Sequence, residues 1–228
     1  MMRRNIALIP AAGVGARFGA GKPKQYVEIN GKTVLQHTIE IFEQHPRIDL
    51  IAVILSPEDS VFQTALSEKV RVFRVGGASR AETVRNGVSV LLEQGLAEAQ
   101  DNILVHDAAR CYLPVEALTR LLDEAGENDE GGILAIPVAD TLKRSDGSHH
   151  IDETVARAGL WQAQTPQLFQ TALLHRALSV DDLSEITDEA SAIEKLGIRP
   201  RLVQGDTRNL KLTLPQDEYI VRLLLKAV

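Results

Sequence analysis

Continuous apolar runs and helically spaced apolar positions take turns along the first 136 residues of this chain. Ile6-Ala7-Leu8-Ile9 is a short apolar run, and Asn5 to Ile9 is expected to form a buried strand. Val34-Leu35, Thr38-Ile39 and Phe42 follow at the spacing of one helix face. Asp49 to Leu55 is rich in β-branched residues and is closed by Ser56-Pro57, which suits a parallel strand covered on both faces. Val70 to Val75 instead alternates at period two, stops at Gly76-Gly77 and predicts a strand nearer an edge. Ala81, Val84, Val88, Leu91 and Leu92 mark the next helix face, and Ile103-Leu104-Val105 the next strand. Pro114 can open a helix, with Val115, Leu118, Leu121 and Leu122 turned inward. Gly131 to Ile136 is a further central strand. This order predicts right-handed βαβ units and a Rossmann-like α/β fold, its mostly parallel sheet flanked by helices.

After residue 136 the pattern changes. Asp140 to Arg144 and Ile151 to Arg157 are joined by Ser145-Asp146-Gly147-Ser148, whose Asp-Gly pair suits a hairpin turn. A β-hairpin arm over about residues 138–158 is therefore expected to project from the sheet. Its polar composition gives it no core, so it needs a surface to lie against, and a second subunit is one candidate. Leu173 to Leu178, a capped helix from Thr187 to Leu196, a short strand at Leu202-Val203 and a terminal helix from Pro215 follow. No repeat or linker interrupts the chain, so one domain over residues 1–228 is the expected organisation.

Composition narrows the class only modestly. Apolar residues make up 44% and charged residues 25%, which is ordinary for a soluble globular protein. A net charge of −6 argues against a general nucleic-acid binder but leaves room for a local basic pocket. Cys111 is the single cysteine, so no internal disulfide can form. The basic start, Met1-Met2-Arg3-Arg4, leads into an apolar run too short for a signal peptide, and no run approaches a membrane span. A cytoplasmic protein is expected.

The candidate chemistry gathers where strands end. Pro10 to Lys24 carries four glycines within nine residues, together with Arg17, Lys22 and Lys24. Backbone N–H groups of such a turn, joined by fixed cations, make a cradle for phosphate oxygens. It is not a dinucleotide fingerprint, because Phe18 stands where the third glycine belongs. Nor is it a P-loop, because Pro23 follows Gly21-Lys22 and Ala16 replaces the first glycine. Pro23 also disfavours helix at Lys22, so cations rather than a helix dipole alone are expected to meet the anion.

His106-Asp107-Ala108-Ala109-Arg110 also follows a strand. Asp107 can hold Mg2+ or cap a helix, Arg110 can pair with a phosphate, and His106 reads as a structural hydrogen-bonding residue. Gly76-Gly77 with Thr83 can read a nucleobase edge. Thr165-Pro166-Gln167 is a weaker signal, and Thr187 is a competent N-cap with Asp188 and Glu189 behind it. Lys211 sits between Leu210 and Leu212 on an expected strand, where a charge can be either functional or simply the solvent face.

Taken together, Ala11-Ala12-Gly13-Val14-Gly15-Ala16-Arg17 and Pro23-Lys24-Gln25-Tyr26 resemble the nucleotide loop of the sugar-phosphate nucleotidyltransferases. His106 to Arg110, Asp140-Thr141, Gly159-Leu160-Trp161, Thr165-Pro166-Gln167, Thr187 to Ala190 and Asn209-Leu210-Lys211 narrow the resemblance to the 2-C-methyl-D-erythritol 4-phosphate cytidylyltransferases of non-mevalonate isoprenoid synthesis. The resemblance spans nearly the whole chain, in order. It implies transfer of a cytidylyl group from CTP to the polyol phosphate, with Mg2+, release of pyrophosphate and no protein nucleophile. It further implies that Arg17 and Lys24 stabilise the transition state, and that Arg157 and Lys211 orient the attacking phosphate. Ala11, Ala12, Gly13, Gly15, Gly77 and Thr83 match CTP contacts, and Asp107, Arg110, Thr141, Thr165 and Thr187 match the polyol-phosphate pocket. A homodimer is implied, its arm donating Thr141 and Arg157 to the neighbouring site.

Some positions depart from the pattern. Ala78 stands where an acidic residue is usual, Thr83 replaces a serine, Ala16 replaces a second arginine of some relatives, and Cys111 a proline. The alternative substrate is ribitol 5-phosphate, and the alternative class a non-catalytic nucleotide-binding domain. Retention of Arg17, Lys24, Asp107 and Lys211 argues against the latter. Phe18 disfavours an NAD-dependent oxidoreductase.

Overall fold

The computed structural model describes residues 3–13, 23–63 and 67–226. In chain order these form β1 (Asn5–Pro10), a 3-10 turn (Lys24–Tyr26), the two-residue strands β2 (Glu28–Ile29) and β3 (Lys32–Thr33), α1 (Val34–Gln44), β4 (Leu50–Ile54) and β5 (Val70–Phe73). Next come α2 (Arg80–Glu93), β6 (Asn102–Val105), α3 (Val115–Ala125), β7 (Gly132–Pro137), β8 (Leu142–Ser145), β9 (Ile151–Val155) and β10 (Trp161–Gln170). The chain continues through α4 (Thr171–Leu178), α5 (Glu189–Glu194), β11 (Arg201–Gln204) and α6 (Asp217–Leu224). None of these helices is long and apolar enough to cross a membrane.

The main sheet runs β11-β7-β10-β6-β1-β4-β5. Among its described strands only β10 runs antiparallel to its neighbours. The sheet is thus mostly parallel and helix-flanked, as the alternation of patterns predicts, and β5 forms one edge. β1 shows why its run is apolar on both sides. Ala7 and Ile9 belong to the core cluster that holds Phe42 of α1 and Leu121 of α3, whereas Ile6 and Leu8 belong to the one that holds Val88 of α2 and Leu178 of α4. A strand between two helical layers has no solvent face to give to polar residues.

β10 is the element the pattern did not announce. Its sequence, WQAQTPQLFQ, holds four glutamines and a proline, yet it lies between β6 and β7. Gln167 resolves the conflict for its own amide. Its Nε2 donates to Asp188 and its Oε1 accepts from the Ala190 N–H, at 2.9 Å each. Pairing with β7 shifts register between Ala163 and Gln167, around Pro166, which has no N–H to give a ladder.

β8 and β9 form the expected hairpin as a separate two-stranded antiparallel sheet. Nearly all of it is exposed, and Ile151 is 66% accessible.

Three local expectations are corrected. Val115 is 54% exposed, because as the first residue of α3 it tilts back beyond the layer that Leu118, Leu121 and Leu122 cover. Asp188, not Thr187, caps α5: its carboxylate accepts from the Ser191 N–H while Ser191 bonds back. Lys211 lies outside any strand, on an extended segment tied down by Leu212 N–H to the Ala109 carbonyl at 2.8 Å.

Candidate active site

β1 lies between β4 and β6, which the chain places on opposite sides of it. The carboxyl ends of these strands therefore open at a topological switch point, where open α/β sheets take their ligands. A cavity of about 470 Å3 lies there. Its wall is made by Ala11, Ala12 and Gly13 after β1, by Gly77 to Arg80 and Thr83 around the start of α2, and by Asp107 after β6, with Lys24 and Lys211 beside them.

Local bonds hold the two glycine turns. Buried Gln25 donates to the carbonyls of Ala11 and Gly13 at 3.0 Å each, and the Tyr26 hydroxyl donates to Asp59 at 2.6 Å. These anchors fix the 3-10 turn that carries Lys24. At Gly76 an added Cβ would stand 2.3 Å from the Ala12 Cβ, so only glycine lets the second turn lie against the first. The Gly77 N–H donates to the Thr83 hydroxyl at 3.1 Å, and that hydroxyl donates to the Ser79 carbonyl at 2.9 Å. Thr83 therefore braces the turn as well as lining the cavity.

The charged groups are arranged in series. Both Glu189 oxygens bind Arg80, at 2.7 and 3.0 Å. The Arg80 Nε donates to Asp107 Oδ1 at 2.8 Å, and Lys211 Nζ meets Asp107 Oδ2 at 2.8 Å. Arg110 Nε stands 3.7 Å from that same oxygen. Burial alone would raise the Asp107 carboxyl; Arg80, Lys211 and Arg110 reverse this and hold it well below the usual carboxylate range. Burial raises the Glu189 carboxyl, against the pull of Arg80. Three cations against two carboxylates leave the cluster net positive, which suits an anionic ligand.

Behind Asp107 lies a largely buried relay. The Asp107 N–H donates to the Thr165 hydroxyl at 3.1 Å, Thr165 Oγ lies 3.0 Å from His106 Nδ1, and His106 Nε2 lies 2.9 Å from the Arg110 carbonyl. A carbonyl can only accept, so Nε2 carries the proton and Nδ1 accepts from Thr165. His106 is thus the structural residue its position suggested, and burial pushes its pKa down to about 4. The unfolded chain takes up this proton near pH 6.5, so stability contributed by neutral His106 is complete above 6.5 and lost as pH falls toward 4. The loss is on the order of 3 kcal/mol. Urea midpoints followed between pH 7 and 4.5 should fall less steeply in His106→Gln than in the unaltered chain. Equal slopes would assign the acid sensitivity elsewhere.

The remaining candidates are scattered. Arg110 stands behind Asp107, its Nη1 bonded to the Asn209 carbonyl. Thr141, Arg157 and Thr187 are exposed and do not line the cavity. Gly15 and Arg17 lie outside the described residues. Sequence reasoning missed Arg80, Glu189 and Gln25. A cation at the first turn of a helix, against its dipole, was the one available signal for Arg80.

Among the described residues no group of three or more His, Cys, Asp or Glu side chains could hold a metal ion. Both Asp107 oxygens are already engaged, Oδ1 by Arg80 and Oδ2 by Lys211. Among the described residues Asp107 is thus a lone carboxylate, too few donors for a Mg2+ cage built by the protein alone. Only an ion carried mainly by substrate phosphates and water suits these walls.

Comparison with known proteins agrees with this geometry. A family profile described as 2-C-methyl-D-erythritol 4-phosphate cytidylyltransferase (IspD) matches residues 5–227. A protein of that name from Neisseria meningitidis serogroup A is 70% identical over 231 residues, covering all of both chains. A crystal structure of a 4-diphosphocytidyl-2C-methyl-D-erythritol synthase superposes with a TM-score of 0.89 at 64% identity, covering 99% of this chain and 100% of the other. The Francisella tularensis cytidylyltransferase gives 0.82 at 32% identity, covering 97% and 99%. With the whole length matched and the loops around one cavity in order, the chain belongs to the 2-C-methyl-D-erythritol 4-phosphate cytidylyltransferase family.

Proposed function

We propose that this chain joins CTP and 2-C-methyl-D-erythritol 4-phosphate in the cytosol, giving 4-diphosphocytidyl-2-C-methyl-D-erythritol and pyrophosphate. The observation that carries the reading is one shared cavity in which the glycine-rich end of β1, Lys24 and Lys211 face one another. An oxygen of the polyol phosphate attacks the α-phosphorus of CTP, forming one P–O bond as the bond to the β-phosphate oxygen breaks. No side chain need be a nucleophile: positioning and charge suffice for such a transfer. Ala11, Ala12, Gly13 and Gly77, with Gly15, let the backbone approach the triphosphate. Lys24 and Arg17 meet the charge that grows on the phosphorus oxygens, and Lys211 holds the attacking phosphate. Bound Mg2+ would be held mainly by phosphate oxygens and water and would supply neutralising charge there, and none of these roles runs through it.

Thr141 and Arg157 act, in this reading, on the partner's cavity, which accounts for an exposed arm with no core. Mixing Arg157→Ala and Lys24→Ala proteins should restore activity from hybrid dimers, since one site of each hybrid is then intact. Random pairing in a two-fold dimer sets the ceiling at about a quarter of the wild-type sites. No recovery, with hybrids verified by mass, would confine each site to one chain. Pyrophosphate release with CTP and a panel of polyol phosphates tests the substrate. Release with ribitol 5-phosphate but not with methylerythritol phosphate would overturn it.

A further inference from the structure

The series of alternating charges has a buried end and an open end. Glu189 is 1% exposed, whereas the Lys211 side chain is 39% exposed at the cavity. Glutamate is almost never buried this deeply without a partner, and here both oxygens go to one guanidinium brought from 109 residues away. Arg80 in turn opens α2, where the helix dipole disfavours a cation. Arg80 is thus poorly placed for its own helix, and Glu189, although an acidic residue in the first turn of α5, is buried deeper than a dipole contact requires. Both make sense as parts of a tertiary device.

The geometry points to Glu189 and Arg80 as positioning residues that set the Lys211 ammonium for the attacking phosphate through Asp107. This rests on the cytidylyltransferase reading given above. Nη1 and Nη2 of Arg80 hold Glu189, which fixes the plane of the guanidinium, and in that orientation Nε meets Asp107 at Oδ1 alone. Oδ2 is thereby left for Lys211, at 2.8 Å. A lysine ammonium on a four-carbon stem has no fixed direction of its own. Asp107 supplies that direction. Without Glu189 to hold its plane, the fork of Arg80 is free to turn and grip both Asp107 oxygens, the geometry a guanidinium prefers with a carboxylate, and to compete with Lys211 for Oδ2.

The test is a double-mutant cycle of Glu189→Gln and Lys211→Ala, read on methylerythritol phosphate and CTP separately. Pyrophosphate release by the unaltered enzyme is measured first; its absence would sink the functional reading and this inference with it, whereas the cycle can fail with that reading intact. In the Lys211-containing enzyme, Glu189→Gln should lower kcat/KM for the polyol phosphate roughly 10- to 100-fold and leave the KM for CTP nearly unchanged. In the Lys211→Ala background the same change should have little further effect. Equal losses in both backgrounds, or equal losses toward both substrates, would overturn the proposal. Arg80→Lys covers the case of a poorly folded glutamine variant. It keeps one cation but lacks the rigid fork that holds Glu189 with two nitrogens while a third meets Asp107, and it should show the same selective, Lys211-dependent loss. Normal kcat/KM in the Arg80→Lys enzyme would equally overturn it.

Discussion

Lys24→Ala should lower turnover by roughly 100- to 1000-fold, the usual cost of removing one preorganised electrostatic contact to a transition state. CTP affinity should change by less than about tenfold, because the charge that Lys24 meets is largest at the transition state and smaller in bound CTP. The structure gives this its basis in the short turn Lys24–Tyr26. Gln25 ties that turn to the carbonyls of Ala11 and Gly13, and Tyr26 ties it to Asp59. Lys24 is thereby carried on a fixed base beside the backbone that approaches the triphosphate. Single-turnover rates over a CTP titration separate the two quantities. Unchanged turnover would remove Lys24 from the chemistry. Weakened CTP binding with turnover unchanged would make it a ground-state contact.

How much of this was legible in the sequence depended on whether the deciding contacts were local. β1, β4 and β6 are runs that only a doubly covered strand requires, and each was legible from a handful of residues. β10 was not, because its glutamines look solvent-facing until Asp188 and Ala190 are brought beside Gln167 by the fold. The site divides in the same way. Gly13, Lys24, Asp107 and Lys211 stand out by composition or position, and all four line the cavity. Glu189 already had a sufficient local explanation as an acidic residue in the first turn of α5. Nothing nearby in sequence revealed that it is buried or that its partner is Arg80. Thr187 fails for the opposite reason: a neighbour equally able to cap, Asp188, holds the position. Thr141 and Arg157 are exposed and lie outside the cavity, and the role proposed for them needs a second chain, which one chain's pattern cannot place.

The same buried pair yields the largest expected effect on stability. Arg80→Met keeps much of the side-chain volume but leaves Glu189 without its guanidinium, and should cost about 3–5 kcal/mol near neutral pH. That cost has a defined pH dependence. With Arg80 gone, burial holds the Glu189 carboxyl above its unfolded value with nothing to oppose the rise. The folded variant then binds a proton that the unfolded chain has released, so its deficit should grow as pH rises from about 4.5. Urea midpoints at pH 5 and pH 8 read this directly, and a deficit that shrinks toward pH 8 would contradict a buried, uncompensated carboxylate. Arg80→Met combined with Glu189→Leu removes both charges together, and should recover most of the lost stability because a well-packed apolar pair commonly equals or exceeds a buried ion pair. Activity should not recover with it. Asp107 would regain a free Oδ1 but not the guanidinium that fixes its orientation, so a stable protein with poor use of the polyol phosphate is the expected outcome. A double variant that is both stable and fully active would show that the pair serves only the fold.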